Sequence, residues 1–299
     1  MKWLIYGGNG WIGSQVCELL RNDNQTIIMG TSRADNKKMV EEELLSIKPD
    51  RVMSFIGRTF GPGYNTIDYL EQKGKLTENL TDNLYAPMVL AFLCTKHSIH
   101  FTYLGTGCIF YGYDNNGYSE DDEPDFFESE YSAVKGKTDQ LMHFFDSTVL
   151  NARIRMPITA YDDPRNFITK IKSYKKICSM PNSMTVLPEL LPILLDMAKN
   201  KTSGTINLTN PGLITHNEIL DIVKELVDPN LTYENFTIEE QSKIILAGRS
   251  NNRLNSNKLV SMYPNVLPIK ESLRKILIEQ NNIQNQNITN IIDDNLLNE

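Results

Sequence analysis

The sequence predicts an α/β protein: a doubly wound parallel sheet with a smaller, mostly helical second domain. Three observations carry this. Short apolar runs alternate with helical stretches from residue 2 to about 154. A glycine-rich turn separates the first of these runs from the first helical stretch. After Met156-Pro157 the alternation weakens, and prolines at 157, 164, 181, 188 and 192 interrupt the chain.

In order along the chain, residues 2–6 form a short run of strand formers that stops at Gly7. Val16, Leu19 and Leu20 then recur at helical spacing. A second strand fits 26–29 and a helix 37–46, with Val40, Leu44, Leu45 and Ile47 as its apolar stripe and Pro49 beyond it. The third strand fits 51–56, and glycines make 57–69 a loop. A long helix fits 77–96, kinked at Pro87. The fourth strand fits 99–104, a long glycine- and acid-rich loop 105–128, a helix 129–145 and the fifth strand 148–154. In the second part, 204–209 reads as one more strand that returns to the sheet. Helices fit 216–227, 237–246 and 269–279. The expected division is a cofactor-binding domain 1–158 joined by the strand near 204–209, a substrate domain 159–280, and a poorly ordered tail or loosely docked helix 281–299 rich in Asn and Gln.

Composition narrows the functional classes. The 299 residues carry a net charge of −7, which argues against a broad nucleic-acid surface. No run approaches 18 apolar residues, so no membrane span is expected. No secretory signal is visible, and the four cysteines (17, 94, 108, 178) show no motif spacing. Free thiols in the cytoplasm are the expectation. The four histidines form no ligand cluster, so no metal is expected.

Gly7, Gly10 and Gly13 make a G-x-x-G-x-x-G turn between strand and helix. Glycine there permits the tight turn and close approach of a pyrophosphate, and the helix N-terminus, from Trp11 and Ile12 on, offers free N–H groups to it. This is the fingerprint of a Rossmann dinucleotide site. After the second strand comes Thr31-Ser32-Arg33. A cation and two hydroxyls, Ser32 and Arg33 in particular, suit a ribose 2′-phosphate, so NADP(H) is predicted over NAD(H). Asp35 keeps NAD(H) open, and a solvated surface arginine is the alternative for Arg33.

Tyr131 and Lys135 are spaced to share a helix face. An ammonium beside a phenol favours the phenolate, and such a tyrosine can exchange a proton with a carbonyl oxygen. A second copy of the spacing, Tyr69 and Lys73, lacks a preceding partner hydroxyl and reads as accidental. Thr106, at the end of the fourth strand, lies where ligands bind in doubly wound folds. With the glycine turn, Thr106, Tyr131 and Lys135 resemble the extended short-chain dehydrogenase/reductase family.

Cys108 stands two residues beyond Thr106. A thiolate there is able to remove a proton from a carbon beside a ketone; the alternative is a buried structural cysteine. Longer segments refine the resemblance: Gly8-Asn-Gly-Trp-Ile-Gly13, Thr106-Gly-Cys-Ile-Phe110, Arg155-Met-Pro-Ile158, Asp163-Pro-Arg-Asn-Phe-Ile-Thr-Lys170, Pro181-Asn-Ser-Met-Thr185, Asn210-Pro-Gly212, His216-Asn-Glu218 and Arg249-Ser-Asn-Asn252. Residues 2 to about 280 resemble the UDP-4-keto-6-deoxy-D-glucose 3,5-epimerase/4-reductases that make UDP-L-rhamnose, found in plants as the C-terminal part of rhamnose synthases and as stand-alone enzymes.

That resemblance implies a bifunctional oxidoreductase and epimerase using NADPH. Cys108 and Lys170 would be the epimerisation pair, and Thr106, Tyr131 and Lys135 the reduction machinery. Asn83, Asn166 and Arg249 would contact the UDP-sugar. A separate UDP-glucose 4,6-dehydratase would supply the substrate, and a homodimer is the assembly considered. The related GDP-fucose synthases use a Cys and a His, so Lys170 is a departure; its alternative is a surface or phosphate-binding lysine. Ser54-Phe-Ile-Gly-Arg58 also departs from the family's Asn-Ala-Ala-Gly. Two other functions stay open: a 4-reductase of the deoxythymidine-diphosphate-rhamnose type without epimerase activity, and a non-enzymatic NADP-binding regulatory subunit.

Overall fold

The structure, a computed structural model, describes residues 1–113 and 116–296, with side chains to residue 282. The first half winds as β1 (Lys2–Tyr6), α1 (Trp11–Asn22), β2 (Thr26–Met29), α2 (Lys37–Ile47) and β3 (Arg51–Ser54). It continues with α3 (Leu76–Leu80), a wide π turn (Thr81–Tyr85), α4 (Ala86–Lys96), β4 (His100–Thr106), α5 (Glu130–Met142) and β5 (Val149–Ile154). Beyond these come β6 (Pro157–Ile158), α6 (Phe167–Ser173), β7 (Lys176–Ile177), β8 (Thr185–Val186), α7 (Leu187–Lys199) and β9 (Gly204–Asn207). The chain closes with α8 (His216–Leu226), β10 (Glu234–Asn235), α9 (Ile238–Ser242), α10 (Asn257–Met262) and α11 (Ile269–Leu296).

Six strands form one parallel sheet in the order β2-β1-β3-β4-β5-β9. The chain runs outward from β1 to β2 and then returns to β3 on the other side. The direction of winding therefore reverses between β1 and β3, which opens a crevice at their carboxyl ends. The α/β fold class is as the sequence predicts, including the return of β9 to the sheet beside β5.

Burial on both faces explains the strand composition. One face packs Trp3, Ile5, Leu150, Ala152 and Ile154 against α1 and α7. The other packs Leu4, Tyr6, Val52, Phe101 and Tyr103 against α2 and α4. On β5 the period of two puts Asn151 and Arg153 on the face opposite Leu150 and Ala152. There Arg153 Nε and Nη2 donate to Asp139 of α5 at 2.9 and 2.6 Å, and Asn151 Nδ2 donates to the same carboxylate at 2.8 Å.

Two helices differ from expectation, both because of proline. The expected 77–96 helix widens into the π turn just before Pro87. Pro87 has no N–H to give the Asn83 carbonyl, which instead accepts from Thr138 Oγ1 of α5 at 2.7 Å. Pro188 and Pro192, expected to interrupt, lie within α7. Pro188 sits in its first turn, where N–H groups have no partner, and Pro192 removes one bond. Leu187, Leu190, Leu191 and Leu194 hold the helix to the sheet. Thus α7, which falls inside the 159–280 segment, belongs to the sheet's own core.

Helices α6, α8 and α11 enclose a separate apolar core with Ile158, Met184 and Val186. The tail at 281–299 continues α11 as helix to Leu296; residues 297–299 lie outside the described residues. No helix among the described residues is long and apolar enough to cross a membrane.

Candidate active site

The glycine turn follows β1 directly. Gly7 has φ +73°, and a Cβ there would lie 2.9 Å from the Phe55 carbonyl carbon beyond β3. A Cβ on Gly13 would meet the Gly7 carbonyl oxygen at 2.3 Å. Gly10 is the N-cap of α1, with no side chain closing the first turn, so the N–H groups of Trp11, Ile12 and Gly13 are left for an anion. These features fit a dinucleotide diphosphate. Trp11 and Ile12 are partly buried against the sheet core behind the turn.

At the end of β2, the Arg33 fork holds Asp35 (3.0 and 2.9 Å) and is largely exposed. Ser32 sits beside it, its Oγ donating to the Met39 carbonyl at 3.2 Å. Glu43 of α2 shapes this corner: it accepts from Thr31 N and Oγ1 at 2.8 Å each and from Tyr6 Oη at 2.6 Å. Nothing in the sequence pattern singles out Glu43, because its partners lie 11 to 37 residues away.

Thr106, Cys108, Tyr131 and Lys135 come together. The Thr106 and Tyr131 hydroxyls stand side by side, and Thr106 Oγ1 accepts from Cys108 N at 3.1 Å. Burial, with the charge of Cys108 nearby, pushes the Tyr131 phenol well above its usual range, while the Thr106 hydroxyl pulls it down. Lys135 is buried and pulled down from 10.5 to about 8 by desolvation, opposed by the charges of Asp139 and Cys108. Its Nζ donates to Tyr103 Oη of β4.

Cys108 is the one half-buried cysteine; the other three are buried. It packs against Tyr69, Leu70 and Tyr131. Ser132, next to Tyr131, donates from Oγ to the Cys108 carbonyl at 2.7 Å and so ties the loop to α5. Tyr69 donates to Glu78 at 2.8 Å and lies in a short 3-10 turn, while Lys73 is exposed beyond it. The second tyrosine–lysine spacing thus forms no helical pair.

The remaining expected site residues lie on other elements. Lys170 is half-buried on α6, pulled down by desolvation, with the charges of Asp163 and Arg165 acting on it. Asn83 and Asn166 need correction as substrate contacts. Asn83 is fully buried; its Nδ2 donates to the Arg58 carbonyl and Asn79 Oδ1, and its Oδ1 accepts from Arg58 N. Asn166 is 1% exposed; it caps α6 through Ile168 N and donates to the Thr159 and Tyr161 carbonyls. Every amide hydrogen of both is used inside the chain, so neither reaches a ligand. Arg249 is half-buried and paired with Asp68 at 2.7 Å. Asp68 also accepts from Ala247 N and is held down to about 2, mainly by these hydrogen bonds against its burial.

Residues 1–171 match the sequence profile of the RmlD substrate binding domain. The chain belongs to that family. Among its members, L780 of Acanthamoeba polyphaga mimivirus is 58% identical over 93% of this chain and 98% of its own length. The crystal structure of the L780 UDP-rhamnose synthase superposes with a TM-score of 0.92. The bifunctional dTDP-4-dehydrorhamnose 3,5-epimerase/dTDP-4-dehydrorhamnose reductase of Arabidopsis thaliana is 39% identical, over 94% of this chain and 93% of its own length. This chain spans only 42% of a trifunctional Arabidopsis relative that also carries UDP-glucose 4,6-dehydratase, at 40% identity.

Proposed function

We propose that this RmlD-family protein is an NADPH-dependent 3,5-epimerase/4-reductase converting UDP-4-keto-6-deoxy-D-glucose to UDP-β-L-rhamnose. The observation that carries it is the meeting of one accessible thiol, Cys108, with the Thr106–Tyr131 hydroxyl pair and the buried Lys135 ammonium. The 58% identity to L780, whose crystal structure is of a UDP-rhamnose synthase, supports this function over a 4-reductase without epimerase activity or a regulatory subunit.

The residues divide the work by their chemistry. Thr106 and Tyr131 hydrogen-bond the C4 ketone oxygen and stabilise the negative charge it gains as an enolate. Cys108, as thiolate, takes a proton from a ring carbon beside the ketone, and the C–H electrons enter the enolate. Lys170 exchanges the proton on the opposite face, so reprotonation inverts the centre. NADPH, when bound, supplies the hydride to C4. Tyr131 then gives its proton to the C4 oxygen, and the Lys135 ammonium stabilises the phenolate left behind. The unfilled first turn of α1 holds the cofactor diphosphate, with Ser32 and Arg33 at the 2′-phosphate. Arg249, presented by Asp68, reaches the sugar-nucleotide diphosphate. The 4-keto substrate comes from a separate UDP-glucose 4,6-dehydratase; a homodimer in the cytoplasm is the proposed working form.

Two variants test this. Tyr131→Phe abolishes reduction but leaves a slower solvent-deuterium exchange into the keto sugar, because Thr106 still holds the enolate oxygen. Cys108→Ala suppresses the exchange while NADPH still binds. UDP-rhamnose formed by Cys108→Ala at the wild-type rate would remove the epimerase from the proposal.

A further inference from the structure

The buried Lys135 ammonium forms no ion pair among the described residues. Its Nζ makes one hydrogen bond, to Tyr103 Oη of β4, and stands 4.5 Å from the centre of that ring. Tyr103 is 1% exposed and belongs to the apolar cluster under α2 and α4. Phe101, two residues earlier on the same strand face, fills that cluster without a hydroxyl. A phenol buried there has lost its water, and Lys135 is the one partner of its hydroxyl among the described residues. Packing alone would be served by phenylalanine, so the hydroxyl stands there for the lysine.

The sheet register shows what this hydroxyl is part of. Ser54 of β3, Tyr103 of β4, Asn151 of β5 and Thr205 of β9 are direct neighbours across the sheet, and all four are buried. They make a polar row on a face otherwise packed with Leu4, Val52 and Phe101. Two side chains of α5, one turn apart, reach this row. Asp139 accepts from Asn151 Nδ2 at 2.8 Å, and Lys135 donates to Tyr103 Oη. The helix that carries Tyr131 is thus seated on two adjacent strands. Asp139 is held by Arg153 as well, at 2.6 Å, whereas the end of Lys135 is held by Tyr103 alone. Lysine is long and flexible, and an acceptor at a fixed place removes the freedom of its ammonium before any ligand arrives.

We propose that Tyr103 is a positioning residue for the reduction step: its hydroxyl oxygen holds the Lys135 ammonium where that charge stabilises the Tyr131 phenolate. This rests on the role of Lys135 proposed above. Tyr103 keeps its own proton throughout; the proton given to the C4 oxygen is that of Tyr131. The other titratable groups around Lys135 are Tyr131 and Asp139 on α5 and Cys108 on the loop after β4, and none of them hydrogen-bonds Nζ. Epimerisation draws on Cys108, Lys170 and the Thr106–Tyr131 hydroxyls, so Tyr103 serves one of the two reactions and not the other.

The test is a double-substitution cycle on the full chain, with hydride transfer read from NADPH absorbance in a single turnover. Tyr103→Phe slows hydride transfer by about tenfold, the worth of one hydrogen bond to a charged group, and leaves the KM for the keto sugar unchanged. Without NADPH, the same variant exchanges solvent deuterium into the keto sugar at the wild-type rate. In the Lys135→Met background, Tyr103→Phe leaves the slow residual hydride transfer as it was. A tyrosine that only packs would slow exchange and transfer together, or slow transfer equally in both backgrounds. Either result overturns the inference. Wild-type transfer in Tyr103→Phe beside an inactive Lys135→Met removes Tyr103 alone, whereas wild-type transfer in Lys135→Met removes the reading of Lys135 beneath it. Should Tyr103→Phe not fold, Lys135→Met/Tyr103→Phe decides by urea unfolding. It folds and is more stable than Lys135→Met, because the hydroxyl has lost its one partner. A double variant less stable than Lys135→Met overturns the inference.

Discussion

Replacing Lys135 by methionine is expected to stabilise the protein at neutral pH while disabling reduction. Desolvation pulls this ammonium from 10.5 to about 8, which amounts to about 3 kcal/mol of strain on the folded chain. The sign follows from proton binding. Below about 8 the lysine is charged whether folded or unfolded, and the full penalty of burying the charge is present. Between about 8 and 10.5 the unfolded chain binds more protons than the folded one, so wild-type stability rises with pH and the penalty fades. Methionine removes the charge but leaves the fully buried Tyr103 hydroxyl without its donor, an offset of about 1–2 kcal/mol. Lys135→Met should then gain about 1–2 kcal/mol at pH 7, and Lys135→Met/Tyr103→Phe about 3. Urea unfolding followed by the fluorescence of the buried Trp3 measures both at pH 7 and pH 10. The gain should largely vanish at pH 10. A methionine variant less stable than wild type at pH 7, by an amount that does not change with pH, would refute the reasoning.

Two further expectations concern neighbouring groups. Arg33→Ala should raise the KM for NADPH by about tenfold or more, the loss of one charge-assisted phosphate contact, while leaving the KM for NADH nearly unchanged; equal losses in steady-state kinetics would dismiss Arg33 as the 2′-phosphate ligand. Asp139→Asn should destabilise the chain by about 3–5 kcal/mol in urea unfolding, because it strands the fully buried Arg153 guanidinium; a loss under about 1 kcal/mol would show that this pair is dispensable.

The parallel sheet was legible because its strands are short apolar runs punctuated by glycine and proline, and β1, β2 and the start of β3 stand where those breaks put them. The α7 helix was not, since Pro188 and Pro192 read as breakers. Both prove tolerable, one in a first turn and one on the exposed side of a helix whose leucine face the sheet covers. In the candidate site, the glycines, Thr106, Cys108, Tyr131 and Lys135 were visible through local spacing. Tyr103, Ser132, Glu43 and Asp68 were not, because each acts on a partner 11 or more residues away that only the fold brings near. Asn83 and Asn166 show the converse. Asn166 stands in a matching segment and Asn83 on the long helix, which invited a ligand role for both, but a side chain that ties down the Arg58 backbone at 83 and a helix cap at 166 explain why asparagine stands there.

The central claim is that this single chain inverts two ring carbons and reduces the ketone between them. Incubating it alone with UDP-4-keto-6-deoxy-D-glucose and NADPH in D2O, and reading the product by NMR, tests that most directly. The account predicts UDP-L-rhamnose with deuterium at both C3 and C5. A reduced sugar of unchanged configuration, with hydrogen retained at both carbons, would contradict it.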